Sequence, residues 1–114
     1  MDDRTAIEAL SALAQEHRLR TFRVLVKEGP AGLSAGEIAA RIEIAPSALS
    51  FHLSHLERAG LLHAWRVKRH VYYAVEVEGM RKLLAFLTED CCHGRPELCG
   101  ELTGLAAGDA QEPN

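Results

Sequence analysis

Cysteine is missing from the first 90 residues of this chain. All three thiols, Cys91, Cys92 and Cys99, fall in one stretch, T-E-D-C-C-H-G-R-P-E-L-C-G, Thr88 to Gly100. A disulfide framework for the body is therefore excluded. Long apolar runs are also missing, so no membrane-spanning helix is expected. The first residues, M-D-D-R-T, are acidic and polar, unlike the basic and then apolar start of a signal peptide. With an odd number of cysteines, this points to a reducing cytoplasm and to thiols used for reactivity or for metal. There is no phosphate-binding glycine loop, no nucleophile elbow and no CxxC pair, so enzymatic activity is not expected. No internal repeat is visible.

At 114 residues the chain has the length of one domain, with a modest core that dimerisation would help. Its net charge of −3 gives no sign of nucleic-acid binding, but the charge is unevenly spread. Residues 1–88 carry 12 Lys and Arg against 10 Asp and Glu, whereas residues 89–114 carry one Arg against six acids. A mildly basic body with an acidic tail is compatible with a DNA-binding body, because local patches set the electrostatic attraction.

Apolar periodicity predicts a first helix over Thr5–Gln15, with Ile7, Leu10, Leu13 and Ala14 as its stripe, and a second over His17–Lys27. Gly29-Pro30-Ala31-Gly32 ends the second. Ser34 followed by Glu37 is a capping box that opens a third helix, Ala35 to Arg41. Pro46 suits the first turn of a fourth helix that stops at Gly60. Two short helices joined by a tight turn make a helix-turn-helix. Leu61 to Val77 reads as a β-hairpin with Lys68-Arg69-His70 at its tip. A last helix is expected over Gly79–Leu87. The fold class is mainly α, a winged helix-turn-helix of order α-α-α-α-β-β-α. Residues 1–90 form the DNA-binding and dimerisation domain, 91–103 a cysteine metal-binding segment and 104–114 a flexible tail.

With Leu53 at the centre of the inner face of the fourth helix, Leu49 and Leu56 fall beside it. Ser47, Phe51, Ser54 and Arg58 then face outward, flanked by Ser50 and His55. Small hydroxyls, an imidazole and one guanidinium can donate or accept at base edges, and Phe51 can touch a thymine methyl. The bland reading is a surface helix of low charge, although Glu and Lys would be the usual residues for one. His52 borders the buried face and reads as structural. Arg66, Lys68 and Arg69, with His70, sit at the hairpin tip, where phosphate or minor-groove contact is expected. Arg18, Arg20 and Arg23 read as surface charges, with a phosphate contact as the alternative, and Trp65 as packed at the base of the wing.

The chain resembles the ArsR/SmtB family of metal-responsive repressors over about residues 5–88. The likeness rests on L-A-Q-E-H-R-L-R-T-F-R-V-L, on S-A-L-S-F-H-L-S-H-L-E-R-A-G-L-L and on R-V-K-R-H-V-Y-Y-A-V. It implies a homodimer joined by its first and last helices, bound to palindromic double-stranded operator DNA and released by metal. The Cys-x-Cys site that many arsenic sensors of the family carry before the recognition helix is replaced here by Gly36-Glu37-Ile38-Ala39-Ala40. The last helix, M-R-K-L-L-A-F-L-T-E-D, lacks the His of the family's zinc sensors. What remains, Cys91-Cys92-His93 with Cys99, resembles a subgroup of arsenite repressors.

Soft thiolates select soft metals. As(III) and Sb(III) take three thiolates in a narrow pyramid, which adjacent cysteines and a returning Cys99 can supply, so one of these ions is the expected inducer and no organic cofactor is needed. Zn(II) would require a tetrahedron from Cys91, Cys92, His93 and Cys99, with three consecutive and strained ligands. Cd(II), Pb(II) and a thiol-redox switch stay open. His93 reads as a neighbour of the metal. Glu89 and Asp90 oppose thiol deprotonation, while His93 and Arg95 favour it.

Overall fold

A computed structural model describes residues 1–88. Cys91, Cys92, His93 and Cys99, and the boundaries expected at 90/91 and 103/104, lie outside the described residues.

Helix α1 spans Asp3–Leu13, starting two residues before the expected Thr5 because Asp2 is its cap: the Asp2 carboxylate accepts the Thr5 N–H at 2.9 Å. Helix α2 spans Glu16–Glu28, and the Gln15 side-chain oxygen accepts the Arg18 N–H at 3.0 Å to cap it. Gly29 (φ 82°) and Gly32 (φ 68°) bracket a single 3-10 turn that carries the chain into strand β1, Leu33–Ser34. Gly32 allows no side chain, since a Cβ there would overlap the Tyr73 carbonyl and the Trp65 ring.

Helix α3 (Ala35–Ile42) begins in the expected capping box, with Glu37 N–H on Ser34 Oγ at 3.2 Å and Ser34 N–H on Glu37 Oε1 at 2.9 Å. It ends at Glu43 in the left-handed region, φ 61°. Helix α4 (Pro46–Arg58) has proline in its first turn, and Gly60 with φ 81° follows its Ala59 cap. Strands β2 (Leu62–Val67) and β3 (His70–Val75) form the wing, in register from Leu62 opposite Val75 to Val67 opposite His70. Helix α5 spans Val77–Thr88.

The sheet order is β1-β3-β2, all antiparallel. β1 was not foreseen. Two residues beside a helix cap carry no alternation, and Leu33 and Ser34 become a strand only because Tyr73 and Tyr72 pair with them. The winged helix-turn-helix is as expected, with this one strand added.

Leu25, Ile38, Ile42, Leu49, Leu53, Leu56 and Leu61 are fully buried. The α4 trio at i, i+4, i+7 seats that helix on α2, α3 and β2. Each such side chain stabilises by about 1.5–3 kcal/mol through apolar burial.

The inward face of α1 differs from the expected stripe. Ala6, Ala9 and Ala12 pack inward, whereas Ile7 and Leu10 are 64% and 42% exposed. Alanines let α1 lie close to α2 and α4; of the expected stripe Leu13 packs against the core, while Ile7 and Leu10 turn away. On α5, Leu83 is buried and Leu87 is 52% exposed. The two terminal helices touch, and each leaves large apolar side chains exposed, Ile7 and Leu10 on α1 and Leu87 on α5.

Candidate nucleic-acid interface

Helix α4 presents the expected outer face. Ser47, Ser50, Phe51, Ser54 and Arg58 are exposed, and His55 is half-buried at its flank. Phe51 is 65% exposed, an apolar ring that touches only the edge of His52, with centroids 5.9 Å apart, and otherwise faces solvent. The Arg58 guanidinium donates to Ser54 Oγ at 3.4 Å, which links two of these residues along the helix. Burial, then Arg18 and Arg58, lower the pKa of His55, so near neutral pH its imidazole is uncharged and can both donate and accept.

The wing carries Arg66, Lys68 and Arg69, all exposed at the end of the β2–β3 hairpin with His70 beside them. Among the described residues none of the three enters an ion pair, which leaves their charges free for phosphate. Lys68 is held at φ 58° in the two-residue loop, the handedness that returns the strand on itself. Trp65 is half-buried and stacked between Tyr72 (ring centroids 5.9 Å apart) and His63 (5.4 Å), which agrees with its expected place in the base of the wing.

The structure brings the α4 residues onto one face and the wing residues onto one tip, and β2 packs directly against α4. The three thiols fall outside the described residues, and among the described residues no cluster of three His, Cys, Asp or Glu could hold a metal.

Arg18, expected as a surface charge, is a half-buried junction. Its Nε donates to the Ala12 carbonyl at 2.6 Å and its Nη1 lies 3.2 Å from His52 Nδ1. No local signal predicts a contact between side chains 34 positions apart. Arg20 and Arg23 are exposed, as expected.

A helix-turn-helix domain family matches residues 13–63. The transcriptional activator HlyU of Vibrio cholerae is 38% identical over 82 residues, covering 69% of this chain and 73% of HlyU. A solved structure described as a possible transcriptional regulator for arsenical resistance shares 28% identity with a TM-score of 0.64, covering 92% of this chain and 98% of that one. The homodimeric winged helix-turn-helix DNA-binding domain of Mb0332 from Mycobacterium bovis, a possible ArsR-family regulator, matches with a TM-score of 0.62. It is 22% identical and covers 82% of this chain and 90% of that one, a likeness of fold. Fold, exposed recognition helix and relatives define a winged helix-turn-helix transcriptional regulator. The chain belongs to the ArsR family. No helix among the described residues is long and apolar enough to cross a membrane.

Proposed function

We propose that this chain is a dimeric, operator-binding repressor that releases DNA when As(III) or Sb(III) binds Cys91, Cys92 and Cys99. The observation that carries the DNA half is the α4 face, with exposed Ser47, Ser50, Phe51, Ser54 and Arg58 beside a wing of unpaired cations. Hydroxyls and one guanidinium read base edges while Arg66, Lys68 and Arg69 hold the backbone. The exposed apolar side chains of Ile7, Leu10 and Leu87 on two helices that touch support association through α1 and α5. A twofold pair of α4 helices then reads two half-sites one turn of DNA apart.

The sensing half rests on the sequence. Three thiols follow closely on the last residue of α5, Thr88, and three soft donors suit a pyramidal As(III) or Sb(III) centre. Binding releases protons from the thiols. It also reshapes the chain next to the dimer helix, and half-site spacing shifts. Coupling is reciprocal, so operator DNA weakens metal binding by the same factor.

The test is fluorescence anisotropy of a labelled fragment of the chain's own promoter with reduced protein, titrated with arsenite. A protein with all three cysteines changed to serine is the control. Release of the wild type alone supports the proposal. Binding without release by arsenite removes the arsenic reading, and release by Cd(II), Pb(II) or peroxide instead identifies a different inducer. A promoter reporter that stays off without arsenite and turns on with it separates repression from activation.

A further inference from the structure

The junction of α1, α2 and α4 is built from donors that meet imidazole nitrogens. Arg18 Nε closes on the carbonyl of Ala12, one of the unpaired carbonyls in the last turn of α1, at 2.6 Å. Arg18 Nη1 reaches His52 Nδ1 on α4 at 3.2 Å. A guanidinium has five N–H donors and no acceptor, and it does not deprotonate. The contact therefore exists only while His52 Nδ1 carries a lone pair and the ring proton sits on Nε2.

His17 stacks on His52 with ring centroids 5.6 Å apart and planes 30° apart. The Gln15 oxygen is committed to the Arg18 N–H, which turns the amide nitrogen toward His17 Nδ1 at 3.3 Å. His17 also accepts at Nδ1. The groups whose charge reaches His52 are Arg18 and His17 from α2 and His55 from its own helix. All are basic, and no acid of α1, α3 or α4 is among them. Burial, and then these neighbours, hold the His52 pKa below its ordinary value.

We propose that Arg18 is the positioning residue of the recognition helix: it ties the end of α1 to α4 through neutral His52, so operator binding requires His52 to be unprotonated. Protonation sets two N–H donors and two positive charges face to face, and α4 loses its tie beside Phe51. The sign opposes the general behaviour of DNA-binding proteins, in which acid adds positive charge and strengthens phosphate contact.

Two variants test this on the full chain. In His52→Asn the amide oxygen stands near the place of Nδ1 and does not titrate. Arg18→Lys keeps the charge but puts a single nitrogen where Nε and Nη1 serve the two acceptors from separate positions. Operator affinity is measured by anisotropy, and folding of each variant is checked by circular dichroism. At about pH 8 His52→Asn should match the wild type, and as the pH falls through about 5.5 it should bind progressively tighter than the wild type, by a few-fold, because the lowered His52 pKa delays protonation. Arg18→Lys should bind more weakly at both, with a flattened pH profile. Nitrogen NMR of the free protein should show His52 as the Nε2–H tautomer at about pH 8.

A wild-type to His52→Asn ratio that stays constant across this range overturns the proposal, as does an Nδ1–H tautomer. The proposal rests on operator binding by α4. A wild type that binds none of its promoter DNA at about pH 8 removes that reading, whereas the NMR result judges the Arg18–His52 tie without DNA.

Discussion

Thr21 is completely buried in α2, and its hydroxyl finds no hydrogen-bond partner among the described residues. Valine has nearly the same shape without the polar atom. Thr21→Val should therefore stabilise the fold by about 1 kcal/mol, and a thermal melt should rise by about 4–8 °C. An unchanged or lower midpoint would mean that the hydroxyl is satisfied. Gly79 is the opposite case. A methyl there would overlap the Gly60 carbonyl oxygen, which is backbone and cannot rotate away. Gly79→Ala should cost about 1–3 kcal/mol, measured by denaturant midpoint, with operator affinity reduced as α5 is pushed off the end of α4. At this scale the local signals were legible: Ser34 with Glu37, Pro46 at the helix start and Gly60 after it act within one turn of chain. Arg18 with His52, and Gly79 against Gly60, were not, because nothing near either residue in the chain specifies what folding brings beside it.

On the proposed reading the wing is the element whose role is electrostatic. Replacing Arg66, Lys68 and Arg69 together by alanine should weaken DNA binding about equally on all sequences. It should flatten the plot of log affinity against log salt by about 0.9 for each phosphate that is no longer neutralised. Changes at Ser50, Phe51 or Ser54 should alter the preference among operator variants and leave that slope unchanged. Equal salt slopes in wild type and wing variant would assign the phosphate-binding role to other cations. Helices α2, α3 and α4 were legible to within a residue or two, because Leu25, Ile38 and Leu53 sit on stripes that point into one core. α1 was legible as a helix but not in its orientation. Alanine gives a weak hydrophobic signal, so the stripe of Ile7 and Leu10 dominated the pattern although Ala6, Ala9 and Ala12 do the packing.

For the whole molecule, the proposed assembly rests on the exposed apolar side chains of α1 and α5. Ile7→Glu places a charge among them at a position 64% exposed in the single chain, so the protomer should stay folded. Light scattering should then show a monomer, and operator affinity should fall by about a hundredfold or more as two linked half-site interactions become independent. A dimer that survives this change would place the interface on another surface. The domain was legible at this scale because its order of elements follows from local patterns, whereas the chemistry of the thiols rests on Cys91, Cys92 and Cys99 outside the described residues. The glycine pair gives the assembly a fulcrum. α5 is 12 residues, about 18 Å long, and its first turn bears on the chain just beyond α4. A helix hinged at that end behaves as a lever: swinging Thr88 sideways by about 3 Å tilts α5 by only about 10°. An adjustment at the Thr88 end thus reaches the recognition helix as a small rotation, which a twofold pair would double between its two halves.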